Sequence, residues 1–122
     1  MNIFKNLFSV EEPLEDLLPN IEKVDINGYN VIHCFKEQET LSRYYTPVET
    51  YQYNNFLIVV VYCKPSSRYS CYVHGYSLEN SKYIAYELER KINWVSSKRL
   101  LKEPFLTACR KVNDLILERA GL

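Results

Sequence analysis

The chain has 122 residues, 15 Lys and Arg against 15 Asp and Glu, 47% hydrophobic residues, three Gly and five Pro. This composition excludes collagenous, low-complexity and disordered chains and fits one α+β domain over residues 1–122, with room for a single core and no second domain. The longest apolar run, Phe56 to Cys63, has eight residues against the roughly twenty of a membrane helix, so no membrane partner is expected.

The start, Met1-Asn2-Ile3-Phe4-Lys5-Asn6-Leu7-Phe8, lacks the long apolar stretch and small-residue cleavage site of a secretory signal, and the expected location is the cytoplasm. Ser9-Val10-Glu11-Glu12 matches a capping box, in which hydroxyl and carboxylate satisfy free backbone donors at a helix start. A short N-terminal helix is therefore predicted, with Pro13 in its first turn, Leu14, Leu17 and Leu18 on its apolar side, and Pro19-Asn20 ending it. Asn27-Gly28 is a tight-turn pair between the alternating segment Ile21 to Ile26 and the β-rich segment Tyr29 to Phe35, which predicts a hairpin.

Arg43 to Tyr53 has strand composition interrupted by Pro47, which cannot donate to a ladder and so predicts an edge strand or two short pieces. Asn54-Asn55 turns into Phe56 to Cys63, apolar on both faces and hence the predicted centre of a covered sheet. Lys64 to Arg68 is turn chemistry, and Tyr69 to Tyr76 alternates, completing a second hairpin. Ser77 or Asn80 caps a predicted helix running to about Ser97, with Ile84, Leu88, Ile92 and Val95 as its stripe. A second helix follows from Pro104, repeats Phe105, Cys109, Val112, Leu115 and Ile116 at helical spacing, and closes at Gly121. The expected architecture is an antiparallel sheet of about 4–5 strands, two C-terminal helices packed on one face and a short N-terminal helix.

Charge is uneven. Residues 1–61 carry four basic and nine acidic groups, residues 62–122 eleven and six, so the fold either mixes these halves or presents faces of opposite sign. Cys34, Cys63, Cys71 and Cys109 lie inside apolar runs rather than in loops, as reduced core thiols do, with a Cys63–Cys71 disulfide across the second hairpin as the alternative. No metal-ligand spacing occurs beyond Cys71-Tyr72-Val73-His74, and neither metal nor cofactor is expected. Cys71 and His74 fall on opposite faces of a regular strand, which separates a nucleophile from its base. No phosphate-binding Gly loop or nuclease carboxylate set is present, so catalytic residues are not assigned and an enzyme or small-molecule sensor ranks third among the functions.

Eleven tyrosines in 122 residues are concentrated in the strand region. Tyr72, His74 and Tyr76 share one strand parity, and Tyr51 and Tyr53 share another. An exposed aromatic sheet surface made of Tyr51, Tyr53, Tyr72, His74 and Tyr76 would suit a wet protein interface. The leading expectation is a non-catalytic protein-interaction module of the inhibitor, immunity or phage-accessory type, binding a protein partner through that surface. The alternative is a single-stranded nucleic-acid (RNA) binding module, stacking bases on the tyrosines and meeting phosphates with a basic patch at Lys98, Arg99 and Lys102.

Overall fold

The computed structural model describes residues 12–24, 45–79, 82–89 and 92–121. Five strands, β1 (Ile21–Val24), β2 (Tyr45–Tyr53), β3 (Phe56–Cys63), β4 (Arg68–Glu79) and β5 (Lys82–Glu89), form one antiparallel sheet in chain order. One helix, α1 (Lys102–Arg119), follows. The class is α+β.

The eight apolar residues of β3 lie at the centre of the sheet and are buried from Phe56 to Val61. Two turns hold it in register. Asn54 and Asn55 adopt φ of 47° and 68°, the left-handed pair that a two-residue hairpin requires and asparagine tolerates. On the other side Cys63 pairs with Arg68 across the Lys64–Ser67 turn, where Ser67 takes φ of 55°. Pro47 is accommodated in the way its missing donor demands. The β2–β3 register shifts between Pro47 and Glu49, and among the described residues β1 pairs with Thr50 to Tyr53, so β2 is one continuous inner strand rather than an edge strand or two short pieces, with the proline beside a bulge.

Alternation along the strands sorts side chains onto two faces. Tyr51, Tyr53, Phe56, Ile58, Val60, Cys71 and Val73 pack against Phe105, Ala108, Cys109 and Val112 of α1, residues spaced three and four apart that make one helix stripe. Leu57, Val59, Val61, Tyr72 and His74 line the opposite face and are no more than 2% exposed. Asn113 Oδ1 accepts from Tyr53 Oη at 3.4 Å and from Asn54 Nδ2 at 3.5 Å, and the Arg119 guanidinium lies 4.9 Å from the Phe56 ring centre. These contacts tie the C-terminal half of α1 to the β2–β3 turn. Pro104 sits in the first turn, where its missing N–H costs nothing, and Gly121 closes the end at φ of 76°.

Three expectations are corrected. The predicted helix from residue 80 to 97 is absent: Lys82–Glu89 is strand β5, Tyr69 and Val95 form an isolated bridge, and a 3-10 turn covers Lys98–Leu100. Tyr83, Ile84 and Tyr86 are strand formers, and pairing of Ser77, Leu78 and Glu79 with Ile84, Tyr83 and Lys82 satisfies backbone groups that β4 would otherwise leave open. Among the described residues there is therefore one C-terminal helix. The N-terminal helix is reduced to a three-residue 3-10 turn, Leu14–Asp16, preceded by Pro13 in an extended conformation at ψ of 143°. Leu14, Leu17 and Leu18 still pack against the core. Residues 9–11 of the capping box, and the predicted hairpin around Asn27-Gly28 apart from Ile21–Val24, lie outside the described residues. The partner that β1 has among them is β2.

Cys63, Cys71 and Cys109 are free and buried. Cys71 registers with Val60 on the α1 face, whereas Cys63 continues the Val59 and Val61 parity, so the two thiols point to opposite faces and form no disulfide. Cys34 lies outside the described residues. Among the described residues no helix is long and apolar enough to cross a membrane.

Candidate functional site

The five predicted sheet residues do not assemble into a surface. Tyr51 and Tyr53 face α1 and are 2% and 7% exposed. Tyr51 meets Phe105 edge-on at 5.1 Å, and its hydroxyl donates to Glu49 Oε2 at 2.6 Å. Burial, with the Glu49 hydrogen bond and charge behind it, pushes the phenol far above its ordinary range. Tyr72 and His74 are buried on the other face, with ring centres 6.5 Å apart, and Trp94 stands edge-on to Tyr72 at 6.1 Å. Burial pushes the His74 imidazole down to about 4, so it is neutral at physiological pH. Tyr76 alone of the five is half-buried, its hydroxyl accepting from Gln52 Nε2 at 3.0 Å. The expected parity of Tyr72, His74 and Tyr76 is correct. Their exposure is not, because both faces of the sheet are covered and large rings are what fills them.

Of the three predicted basic residues, Arg99 and Lys102 line one groove, whereas Lys98 is engaged by Glu49. Ser97 caps the 3-10 turn, its Oγ accepting from Arg99 N at 3.0 Å. Lys98 Nζ reaches Glu49 Oε1 at 3.6 Å, and Lys23 Nζ approaches the same oxygen at 3.9 Å. Glu49 thus links β1, β2 and the turn, and joins a carboxylate of the acidic half to an ammonium of the basic half. Leu101, 2% exposed, anchors the end of the turn in the core. Its neighbour Leu100 points the other way and is 51% exposed.

Beyond Lys98 the turn and the first turns of α1 form an open groove of about 340 Å³, lined by Arg99, Leu100, Lys102, Glu103, Leu106 and Arg110. Arg110 Nη2 donates to Thr107 Oγ1 at 3.0 Å, which holds the guanidinium along the helix surface. A second groove of about 310 Å³ adjoins it across Glu103 and Pro104 and includes Trp94 and Thr107. Leu100, Leu106 and Arg110 are the residues that sequence reasoning missed. The available signal was Leu106, an apolar residue on the helix side away from Phe105, Cys109 and Val112, followed one turn later by Arg110.

Cys71 and His74 are on opposite faces, and among the described residues no three His, Cys, Asp or Glu side chains come together as a metal-holding group. Comparison with family models, curated proteins and solved structures returned no match.

Proposed function

We propose that this chain is a non-catalytic protein-interaction module whose docking surface is the groove formed by the Lys98–Leu100 turn and α1, rather than the tyrosine-bearing sheet. The observation that carries this reading is Leu100, an aliphatic side chain left half in water on a turn that is fastened at both ends. Ser97 caps the turn, Lys98 is paired to Glu49, and Leu101 is buried. Exposure alone does not mark it, since Leu117 of α1 is 50% exposed; what sets Leu100 apart is the groove it shares with Leu106 and three cations, and a partner that covers it gains about 1 kcal/mol from the remaining exposed area. Because the turn is already ordered, little conformational entropy opposes binding. Arg99, Lys102 and Arg110 supply a charged rim around the apolar floor, the arrangement of protein interfaces.

The nucleic-acid alternative receives less support. The groove lining contains no aromatic ring, Trp94 of the adjoining groove is half-buried and edge-on to Tyr72, and the tyrosines and histidine that were to provide a stacking platform on the sheet are mostly buried.

Site-specific photo-crosslinking tests the reading. A benzophenone side chain placed at Leu100, with a control at the exposed strand residue Glu22, should give a nuclease-resistant protein adduct in cells from position 100 only. A nuclease-sensitive adduct, or no protein adduct from position 100, refutes it.

A further inference from the structure

We infer that the groove takes an acidic amphipathic helix of a protein partner, with an apolar side chain seated on Leu100 and Leu106 and carboxylates on Arg99, Lys102 and Arg110. This rests on the reading of the groove as the docking surface and adds the chemistry of its occupant. The lining holds three cations and one carboxylate, Glu103, in a chain whose formal net charge is zero. This surface thus carries a local positive excess. Lys98 is not part of the excess, since Glu49 engages it. Arginine presents a planar fork that matches a carboxylate with two parallel hydrogen bonds, and the positive end of the α1 dipole adds potential of the same sign.

The walls decide the backbone conformation of the occupant. They are a 3-10 turn and a helix, whose N–H and C=O groups are directed along their own axes, so the groove offers no open ladder to an extended strand. A helix, whose backbone is satisfied internally, suits walls of this kind better than a strand does. The apolar floor separates this occupant from a nucleic-acid backbone. Phosphates would use the arginines, whereas Leu100 and Leu106 would gain nothing and no ring lines this groove for a base.

The probes are fluorescein-labelled peptides of about fifteen residues, roughly four helical turns. One carries a leucine stripe at i, i+4 and i+7 with glutamates on both flanks. A second has the same composition scrambled to break the stripe, a third has lysine for every glutamate, and an oligothymidylate is the fourth. Anisotropy titration of the full chain should show the acidic amphipathic peptide binding at least about tenfold more tightly than each of the others, about 1.4 kcal/mol. Leu100→Asp should weaken it about tenfold at every salt concentration. The double variant R99Q/R110Q should weaken it about tenfold at low salt, with the deficit shrinking near 0.5 M as the charges are screened. These positions line an open groove, and a thermal melt matching the parent confirms that each variant is folded. Equal binding of the scrambled peptide or the oligothymidylate overturns the inference, as does wild-type affinity in Leu100→Asp. If position 100 crosslinks a protein in cells while the acidic peptide fails to bind, this inference falls and the interaction reading stands. If no protein crosslinks there, the interaction reading itself falls.

Discussion

Acidification should destabilise this domain through one buried side chain. His74 is 0% exposed on the sheet face opposite α1, registers with Leu57 of β3, and is held neutral by burial, its pKa lowered from 6.5 to about 4. Above pH 6.5 the imidazole is neutral in both folded and unfolded chains and does not couple folding to pH. As pH falls from 6.5 to about 4 the unfolded chain binds a proton that the native state refuses, so stability falls with pH across that window and the contribution levels off below it. A gap of this width corresponds to about 3 kcal/mol, a substantial part of the 5–15 kcal/mol typical of a domain. The assay is urea unfolding followed by the fluorescence of the single tryptophan, Trp94, at intervals between pH 7.5 and 4, on the parent and on His74→Gln. The parent should lose about 3 kcal/mol more than the variant over this range, and the variant should start from a lower value at pH 7.5. Carboxylates titrate in both proteins and cancel in the difference. Parallel pH profiles for parent and variant would refute the assignment of His74 as a buried neutral group.

Further outcomes follow from the core and its links. Val60→Asp places a carboxylate at a 0% exposed position on the α1 face of β3, and the desolvation cost of several kcal/mol should leave the domain unfolded by circular dichroism at 25 °C; a near-native melt would show that β3 is not central. In native protein Cys71 and Cys109 should react slowly with a thiol reagent at pH 8, since burial raises the Cys71 thiol strongly and Cys109 to about 11, and denaturation should release both. Prompt labelling of Cys71 in a folded sample would contradict the packing described. Glu49→Gln keeps an acceptor for Tyr51 but removes both ion pairs, of 3.6 and 3.9 Å, made by half-exposed lysines. It should cost about 1 kcal/mol at low salt and less at 0.5 M, and a large salt-independent loss would mean that the ion pairs are not its main role.

The parts of the fold that were legible in the sequence are those where local chemistry and tertiary context agree. β3 reads clearly because Phe56 to Cys63 is apolar on both parities, and its boundaries read clearly because Asn54-Asn55 and Lys64 to Ser67 are turn formers. α1 reads clearly from Phe105, Cys109 and Val112 together with Pro104 and Gly121. β5 does not, because two periodicities coincide there. Ile84, Leu88, Ile92 and Val95 have helical spacing, while Tyr83, Ile84 and Tyr86 prefer strands, and hydrogen bonding to the adjacent β4, with Glu79 opposite Lys82 and Ser77 opposite Ile84, decides for the strand; this hairpin is local in sequence and was hidden by the coincident helical stripe. The candidate site was hidden for a non-local reason. Strand parity placed Tyr72, His74 and Tyr76 together but carried no information on whether a second layer covers them. Arg99 and Lys102 were visible as charge, whereas Leu100 and Leu106 became informative only once Leu101 and Phe105 were seen to occupy the core and leave their neighbours facing water.

Isothermal titration of the protein that crosslinks from position 100 against the parent, Leu100→Asp and Tyr76→Ala tests the central claim most directly. If the groove is the docking surface, Leu100→Asp lowers affinity by upwards of about 2 kcal/mol, the scale of an interface hot spot, while Tyr76→Ala, somewhat less stable but folded by circular dichroism, binds as the parent does. Parent-like binding by Leu100→Asp together with a comparable loss in Tyr76→Ala would return the interface to the sheet and contradict the account.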